Sequence, residues 1–330
     1  MTLIGGKTGT KLPIPSETKH HLHAAPPADE LALALQFARA EKSASTRRAY
    51  RSDFEAFRKW CEARNLSALP ATPNTLAAFI ATEAKRGIKV SSLERRLCGI
   101  RYAHLLAGHS PPNQSEAVKA TFRGVRRTIG SAAKRKEPIT AERIHAMVRH
   151  APNNLFGLRD RALMLLGFAG AFRRSELVGL DVSDFKETPA GLQVHIRHSK
   201  TDQEHLGQII GIPRGNAECP VNAVKAWLKA SGIARGPMFR SISKAGRVSD
   251  RRLADRMVAE LVKFYAKKIG LDPTSVSAHS LRAGFLTSAA QEGASVFKLM
   301  DVSRHKSLDT LNGYIRDISL FENHAGAKLL

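Results

Sequence analysis

Three short stretches hold the residues of this chain best suited to chemistry. They are Arg173-Arg174-Ser175-Glu176-Leu177, His279-Ser280-Leu281-Arg282, and His305 with Tyr314 nine positions later. Arginine presents a planar fork of donors that matches phosphate oxygens and keeps its charge at any working pH. Histidine gives or takes a proton near neutrality. A phenol oxygen becomes a nucleophile once its proton is removed. Together these residue types suit a single reaction, in which a cationic cradle holds a phosphodiester while a tyrosine oxygen attacks its phosphorus. His279 and Arg282, three positions apart on a helix, project from one face and can meet at one phosphate. An unperturbed phenol titrates near about 10, so neighbouring cations are needed to favour phenolate.

The charge balance names the class of partner. Lys plus Arg number 52 against 29 Asp plus Glu, a formal net charge of +23 over 330 residues. Such a chain accumulates on polyanions by counterion release, which gives affinity for nucleic acid without sequence choice. No apolar run reaches the roughly 18 residues of a membrane span, and Met1-Thr2-Leu3-Ile4-Gly5-Gly6 does not read as a signal peptide. Cys61, Cys98 and Cys219 are scattered and lack Cys-x-x-Cys spacing, which fits a reduced cytoplasm. His20, His21 and His23 lie in a Gly- and Pro-containing stretch without partner ligands, so neither metal nor any other cofactor is expected.

Elements must position these residues, and the apolar periodicity outlines them. Residues 1–30 read as a mobile tail. Residues 31–130 read as a helical domain. Its first helix carries Tyr50, Phe54, Phe57 and Cys61 on one stripe, capped by Ser45 or Thr46. Further helices are expected from Thr75 to Lys85, from Ser91 or Ser92 to about Ala107, and from Ser115 to Ile129. The last two present Arg95, Arg96, Arg101, Lys119, Arg123, Arg126 and Arg127, either as a phosphate track or as a merely solvated face. Residues 131–138 break the periodicity and read as a linker, and residues 139–330 as the second domain.

In that second domain a helix capped by Thr140 runs to about Arg149, and a buried helix spans Leu158 to Ala171. Alternation at Leu192, Val194 and Ile196, resumed at Ile209, Ile210 and Ile212, predicts a hairpin with Lys200 in its loop. Helices follow near Val221 to Ala230, Ser249 to Lys268, Ser280 to Gln291, Val296 to Asp301 and Leu308 to Tyr314. The expected fold class is mainly α, with a small β-sheet in the C-terminal domain.

In order and spacing, the Arg173 motif, His279-Ser280-Leu281-Arg282, and His305 with Tyr314 resemble the tyrosine recombinase (phage integrase) family over about Ile139 to Arg316. Cys219-Pro220-Val221 ahead of Ala226-Trp227-Leu228 adds a family-like stretch, and Thr46-Arg47-Arg48-Ala49-Tyr50 is similar to the core-binding half of the same enzymes. The resemblance implies a two-domain, site-specific DNA recombinase that works through a 3′-phosphotyrosyl intermediate on Tyr314 and leaves a free 5′-hydroxyl. It implies Arg173 and Arg282 as the phosphate clamp, His279 as the proton-transfer residue beside Tyr314, and His305 as donor to a nonbridging oxygen. Lys200, preferred over Lys186, is the acid for the leaving oxygen, and Glu176 is electrostatic support.

The partner expected on this basis is double-stranded DNA bearing a specific recombination site, bound by a homotetramer on two such sites, with no membrane involved. The apolar residues Ile318, Leu320, Phe321, Leu329 and Leu330 either dock on a neighbouring subunit or pack on their own core. A type IB topoisomerase that reseals the same strand, and a DNA-binding protein without catalysis, are the alternatives. Two departures from the family pattern stand out. Arg304 occupies the place before His305 where many relatives carry glycine, and is expected to crowd the turn or add a phosphate contact. Arg174 stands where relatives often have an apolar residue. The Arg-x-Ser-Glu-Leu register selects Arg173, so Arg174 should face elsewhere.

Overall fold

The computed structural model describes residues 27–130, 135–197, 207–216, 218–305 and 307–315. The chain divides into two compact units, Met1–Ala133 and Lys134–Leu330. Among the described residues the architecture is mainly helical, with small antiparallel sheets confined to the second unit.

The first unit contains α1 (Ala28–Ala40), α2 (Ala44–Glu62), α3 (Pro73–Lys85), α4 (Val90–Leu106) and α5 (Glu116–Ile129). Helix α1 departs from the sequence expectation by taking in residues that read as tail; Asp29 and Glu30 in its first turn suit the positive end of the helix dipole. Caps begin the next helices. Ser43, not Ser45 or Thr46, accepts from the Thr46 amide at 3.2 Å, Thr72 accepts from Thr75 at 3.2 Å, and Ser115 accepts from Ala117 at 3.3 Å. The buried faces meet at Phe57, Cys61, Leu76, Phe79, Leu93 and Ile100, with the Phe57 and Phe79 rings edge to face at 5.0 Å. Two of the basic residues on α4 belong to this packing rather than to an open track. Arg95 holds the buried Asp53 through two hydrogen bonds of 2.7 and 2.9 Å, and the half-buried Arg96 pairs with Glu83.

The second unit opens with α6 (Ala141–Arg149), α7 (Leu155–Ala169) and the short α8 (Arg174–Gly179). Helix α7 starts earlier than the apolar run suggests because Asn154 accepts the Gly157 amide at 3.0 Å. It is buried nearly all round, which makes it the central helix. Strands β1 (Phe185–Thr188), β2 (Gly191–Ile196) and β3 (Gln208–Pro213) form one antiparallel sheet. In it the buried pairs Leu192↔Ile212 and Val194↔Ile210 alternate with the outward Gln193↔Gly211. At Gly191, φ is 153° and a Cβ would lie 2.0 Å from the Ile212 carbonyl oxygen, so this corner requires glycine.

After α9 (Pro220–Ser231) the chain forms β4 (Arg240–Ile242) and β5 (Val248–Arg252), and only then α10 (Asp255–Lys268). The helix expected from Ser249 is therefore a strand at its start. Its backbone pairs with β4, and the Arg252 guanidinium reaches the Val178 carbonyl at 2.6 Å, the Leu180 carbonyl at 3.1 Å and Asp181 at 2.6 Å. Such distant partners override local helix preference. The chain closes with α11 (His279–Gln291), α12 (Val296–Ser303) and α13 (Leu308–Ile315). Segment 137–141 crosses α11 closely. Ile139 donates to the Ser280 carbonyl at 2.9 Å, Ala141 donates to Ser288 Oγ at 2.8 Å, and a Cβ at Gly284 would stand 1.6 Å from the Ile139 carbonyl oxygen.

Candidate active site

The site is built where α7 ends. Gly170 and Ala171 make a turn in which Ala171 adopts φ 45°, and the buried Phe172 anchors it. Arg173 then takes the N-cap position of α8. A helix C-terminus carries unsatisfied carbonyls and the negative end of the helix dipole, so it attracts cations. Two buried arginines answer it. Arg282 Nη1 donates to the Ala171 carbonyl at 2.8 Å, and Arg304 donates to the same carbonyl at 2.9 Å and to that of Gly170 at 3.0 Å.

Glu176 joins the arginines. Its Oε1 accepts from Arg173 Nη1 at 2.6 Å, and its Oε2 accepts from the Arg173 amide and from Arg304 Nη2, each at 2.9 Å. Burial pushes this carboxyl up, but Arg304 and Arg173 more than offset that and hold it below the usual carboxylate range. Arg282 is 1% exposed. Burial, with Arg173 and Arg304 close by, pulls it down to about 9, which leaves it cationic at neutral pH. Its Nε is buried with no hydrogen-bond partner among the described residues, a donor ready for an acceptor.

Arg282 Nη2 approaches His305 Nε2 at 3.0 Å, and His305 Nδ1 lies 2.8 Å from Ser303 Oγ. Ser303 gives its own proton to the Leu299 carbonyl at 2.5 Å, so Nδ1 carries the imidazole hydrogen and Nε2 accepts from Arg282. His305 is thus neutral, and burial followed by Arg282 and Arg173 drives its pKa down to about 4. In this DNA-free geometry it is an acceptor for the clamp, whereas sequence reasoning gives it only a donor's part. Ser303, which sets the tautomer, escapes that reasoning; a serine near a helix end gives no signal of that kind.

His279 begins α11, and its Nε2 stands 2.8 Å from Tyr314 Oη. Desolvation, with Arg282 and Arg173 nearby, lowers the His279 pKa, so it is neutral at pH 7 and able to take a proton. The phenol departs from expectation. Burial raises the Tyr314 pKa, and the nearby charges of Arg282 and Arg135 only partly offset this. Proximity of cations alone does not ionise it here, so the imidazole contact carries the burden of activation. Arg135 also bonds the Gly313 carbonyl on α13, a contact that sequence spacing gives no means of finding.

The structure therefore brings Arg173, Glu176, Arg282, His279, His305 and Tyr314 into one neighbourhood. Lys200 lies outside the described residues, as does the apolar tail beyond residue 315; β2 and β3, which flank the Lys200 segment, pair antiparallel. Lys186 is exposed on β1. Arg174 points away from the cluster, to Asp255 at 3.1 Å. Arg304 corrects the sequence expectation: the turn is accommodated in the left-handed region at φ 59°, and the side chain folds inward onto Glu176 rather than outward toward a phosphate. Burial against an existing carboxylate and two carbonyls outweighs solvation at the surface.

Comparisons with known proteins bear on the family and the fold. A model described as the phage integrase family matches residues 137–319, and one described as the phage integrase N-terminal SAM-like domain matches residues 34–107. An integrase/recombinase xerD homolog from Selenomonas ruminantium is 38% identical over 290 residues, covering 86% of this chain and 85% of its own. Tyrosine recombinase XerD from Proteus mirabilis is 26% identical over 284 residues, covering 82% of each. Among solved structures, XerH site-specific recombinase bound to a palindromic difH substrate in a post-cleavage complex matches with a TM-score of 0.58 at 17% identity, over 78% of this chain and 73% of that one. A lambda integrase dimer bound to a COC′ core site matches with a TM-score of 0.58 at 18% identity, over 88% and 76%.

Proposed function

The chain belongs to the phage integrase family and is a site-specific DNA recombinase, and from that premise we propose how its own residues cut and rejoin a strand. Tyr314 Oη attacks the scissile phosphorus while its proton passes to His279 Nε2. The new P–O bond to tyrosine forms as the bond to the 5′-oxygen breaks. Lys200 hands that oxygen a proton and leaves a free 5′-hydroxyl. Arg173 and Arg282 bind the nonbridging oxygens, where charge accumulates in the transition state. As Arg282 turns to the phosphate, the phosphate charge favours the imidazolium form of His305, which donates to a nonbridging oxygen. A 5′-hydroxyl from a second duplex then reverses the step. The phosphotyrosine conserves the bond energy, so religation needs neither ATP nor metal.

The observation that carries this reading is the 2.8 Å approach of His279 Nε2 to Tyr314 Oη beside the buried Arg282. The substrate is double-stranded DNA with a specific recombination site. The exposed Arg101, Arg126 and Arg127 of the helical unit supply its sequence-independent attraction. Four copies act on two sites in the cytoplasm, where the free thiols of Cys61, Cys98 and Cys219 remain reduced.

A duplex nicked near the scissile position, carrying the sequence recovered from DNA covalently attached to the protein in its host, tests the reading. Wild type traps a covalent adduct and Tyr314→Phe traps none. Failure of wild type to trap any adduct on that DNA would sink the proposal. Relaxation of any supercoiled plasmid without a specific site would point to a topoisomerase instead. Sedimentation showing only monomers on a synaptic substrate would remove the tetramer.

A further inference from the structure

We propose that Arg304 is a positioning residue for strand cleavage, clasping Glu176 and the α7 terminus so that Arg173 and Arg282 are presented together. The inference rests on the recombinase reading above and concerns a residue that this chain carries where many relatives carry glycine. The backbone makes no demand for arginine here. Arg304 closes α12 at φ 59° and ψ 39°, the left-handed region where glycine is free of strain. A chain that needed only the turn would be served by glycine.

What the side chain adds is a set of shared anchors. Glu176 Oε2 takes Arg304 Nη2 at 2.9 Å and the Arg173 amide at 2.9 Å, while Oε1 takes Arg173 Nη1 at 2.6 Å. The Ala171 carbonyl takes Arg304 Nη2 at 2.9 Å and Arg282 Nη1 at 2.8 Å. Each arginine of the phosphate clamp thus has a neighbour held by Arg304, and each shared neighbour is buried. The guanidinium also lies over the Phe172 ring, 5.3 Å from its centroid, next to Arg173 in the chain. On the other side its backbone leads directly into His305, the acceptor for Arg282. One side chain therefore ties the turn before Arg173, the carboxylate that orients Arg173, and the turn that presents His305. Lysine has a single ammonium in place of the fork and cannot span the carboxylate and both carbonyls.

The test uses the full chain and the same nicked duplex, at saturating DNA, with the single-turnover rate of adduct formation measured separately from binding. Arg304→Gly, which suits the left-handed turn, keeps wild-type DNA affinity and cleaves on the order of 10- to 100-fold more slowly, since misplacement by about 1 Å can cost 100-fold. Guanidinium ion added to this variant restores part of the rate. Glu176→Gln slows cleavage too, and the double variant is slower than either by less than the product of the two losses, because they share one path. If Arg304→Gly does not fold, Arg304→Lys carries the test, with binding kept and cleavage reduced. Wild-type cleavage by whichever of these variants folds overturns the proposal. Losses that multiply in full, or a rate loss that merely follows weaker DNA binding, overturn it as well. An absence of adduct with wild type itself marks failure of the recombinase reading, a separate result.

Discussion

The exposed arginines of the helical unit and those gathered at the candidate active site occupy opposite environments. In the helical unit Arg47, Arg48, Arg51, Arg101, Arg123, Arg126 and Arg127 are exposed. Even Arg95, which holds the buried Asp53, keeps 54% of its own side chain in solvent. In the catalytic unit Arg282 and Arg304 are almost wholly buried, and Arg173 is largely so. An exposed guanidinium retains its water and acts at a distance through charge, tolerant of where it stands. A buried one has lost that water and is held only by hydrogen bonds of defined geometry, so removing it leaves its partners stranded. On the proposed function, the same residue type gathers DNA in one unit and fixes a reaction geometry in the other. The difference predicts that substitutions will separate into losses of binding and losses of rate.

The largest separation is expected at Arg282. Replacing it with alanine removes a transition-state donor, strands His305 Nε2 and leaves the Ala171 carbonyl to Arg304. Cleavage at saturating DNA should fall roughly 100- to 1000-fold, as for the loss of an oxyanion donor, while DNA binding survives. Single-turnover trapping beside a gel-shift titration checks both halves. A parallel loss of binding and rate would erase the contrast.

Next in size is a pH effect that belongs to the catalytic unit. His305 has its pKa lowered to about 4 in the fold, from the ordinary 6.5. Between these values the unfolded chain binds the proton and the folded one does not, so stability rises with pH across that window. It is lost as pH falls from about 6.5 through about 4. Protonation would also set an N–H against the Arg282 donor in the DNA-free fold, which adds to the loss of stability. Thermal melts from pH 4 to 7 should show that slope in wild type, and His305→Gln should flatten it. An unchanged slope in the variant would assign the effect to another group.

Much of this site is legible in the linear sequence, and the reason is periodicity. His279 and Arg282 share a helix face by spacing alone. Tyr314 follows His305 at a fixed interval on an amphipathic stretch, and the apolar stripe through Phe57 and Cys61 marks a buried helix face. What escapes such reading depends on partners distant in sequence. Arg304 reads as surface charge until Glu176 is brought beside it from another helix, at 2.9 Å. Segment 249–252 reads as helical until β4 offers its edge. Ser43 lies about two turns ahead of the apolar stripe, so Ser45 and Thr46 are the nearer choices for a cap. The Tyr314 phenol is expected to feel its cations above all, yet desolvation, which no linear pattern records, is the larger influence.

A smaller effect distinguishes the carboxylates that hold the arginines. Asp53 in the helical unit is 3% exposed and takes two hydrogen bonds from Arg95. When Asp53→Ala removes the carboxylate, the half-exposed Arg95 can return to water. The loss from this pair should be about 1 kcal/mol, in the range of solvent-screened pairs. Glu176, by contrast, leaves the buried Arg304 with nowhere to go, so Glu176→Ala should cost the catalytic unit roughly 3–5 kcal/mol. Denaturant melts of the two variants check this ranking; equal losses would mean that the depth of the arginine does not govern its dependence on its partner.

The smallest effect on folding is expected at Arg126 and Arg127, and it is the one that defines the other half of the contrast. Both are exposed in the last turn of α5, where a cation also suits the helix dipole. Replacing either with alanine should change stability by no more than about 0.5 kcal/mol. If each neutralises one phosphate, each replacement should lower the slope of log affinity against log salt by about 1 and weaken binding equally on specific and non-specific DNA. If these guanidiniums serve attraction alone, cleavage per bound complex should stay at the wild-type rate. Binding isotherms across a salt series, with trapping measured at saturation, test all three statements. A fall in rate at saturating DNA would mean that exposed charge in the helical unit also sets the reaction geometry, and the division of labour between the two kinds of arginine would fail.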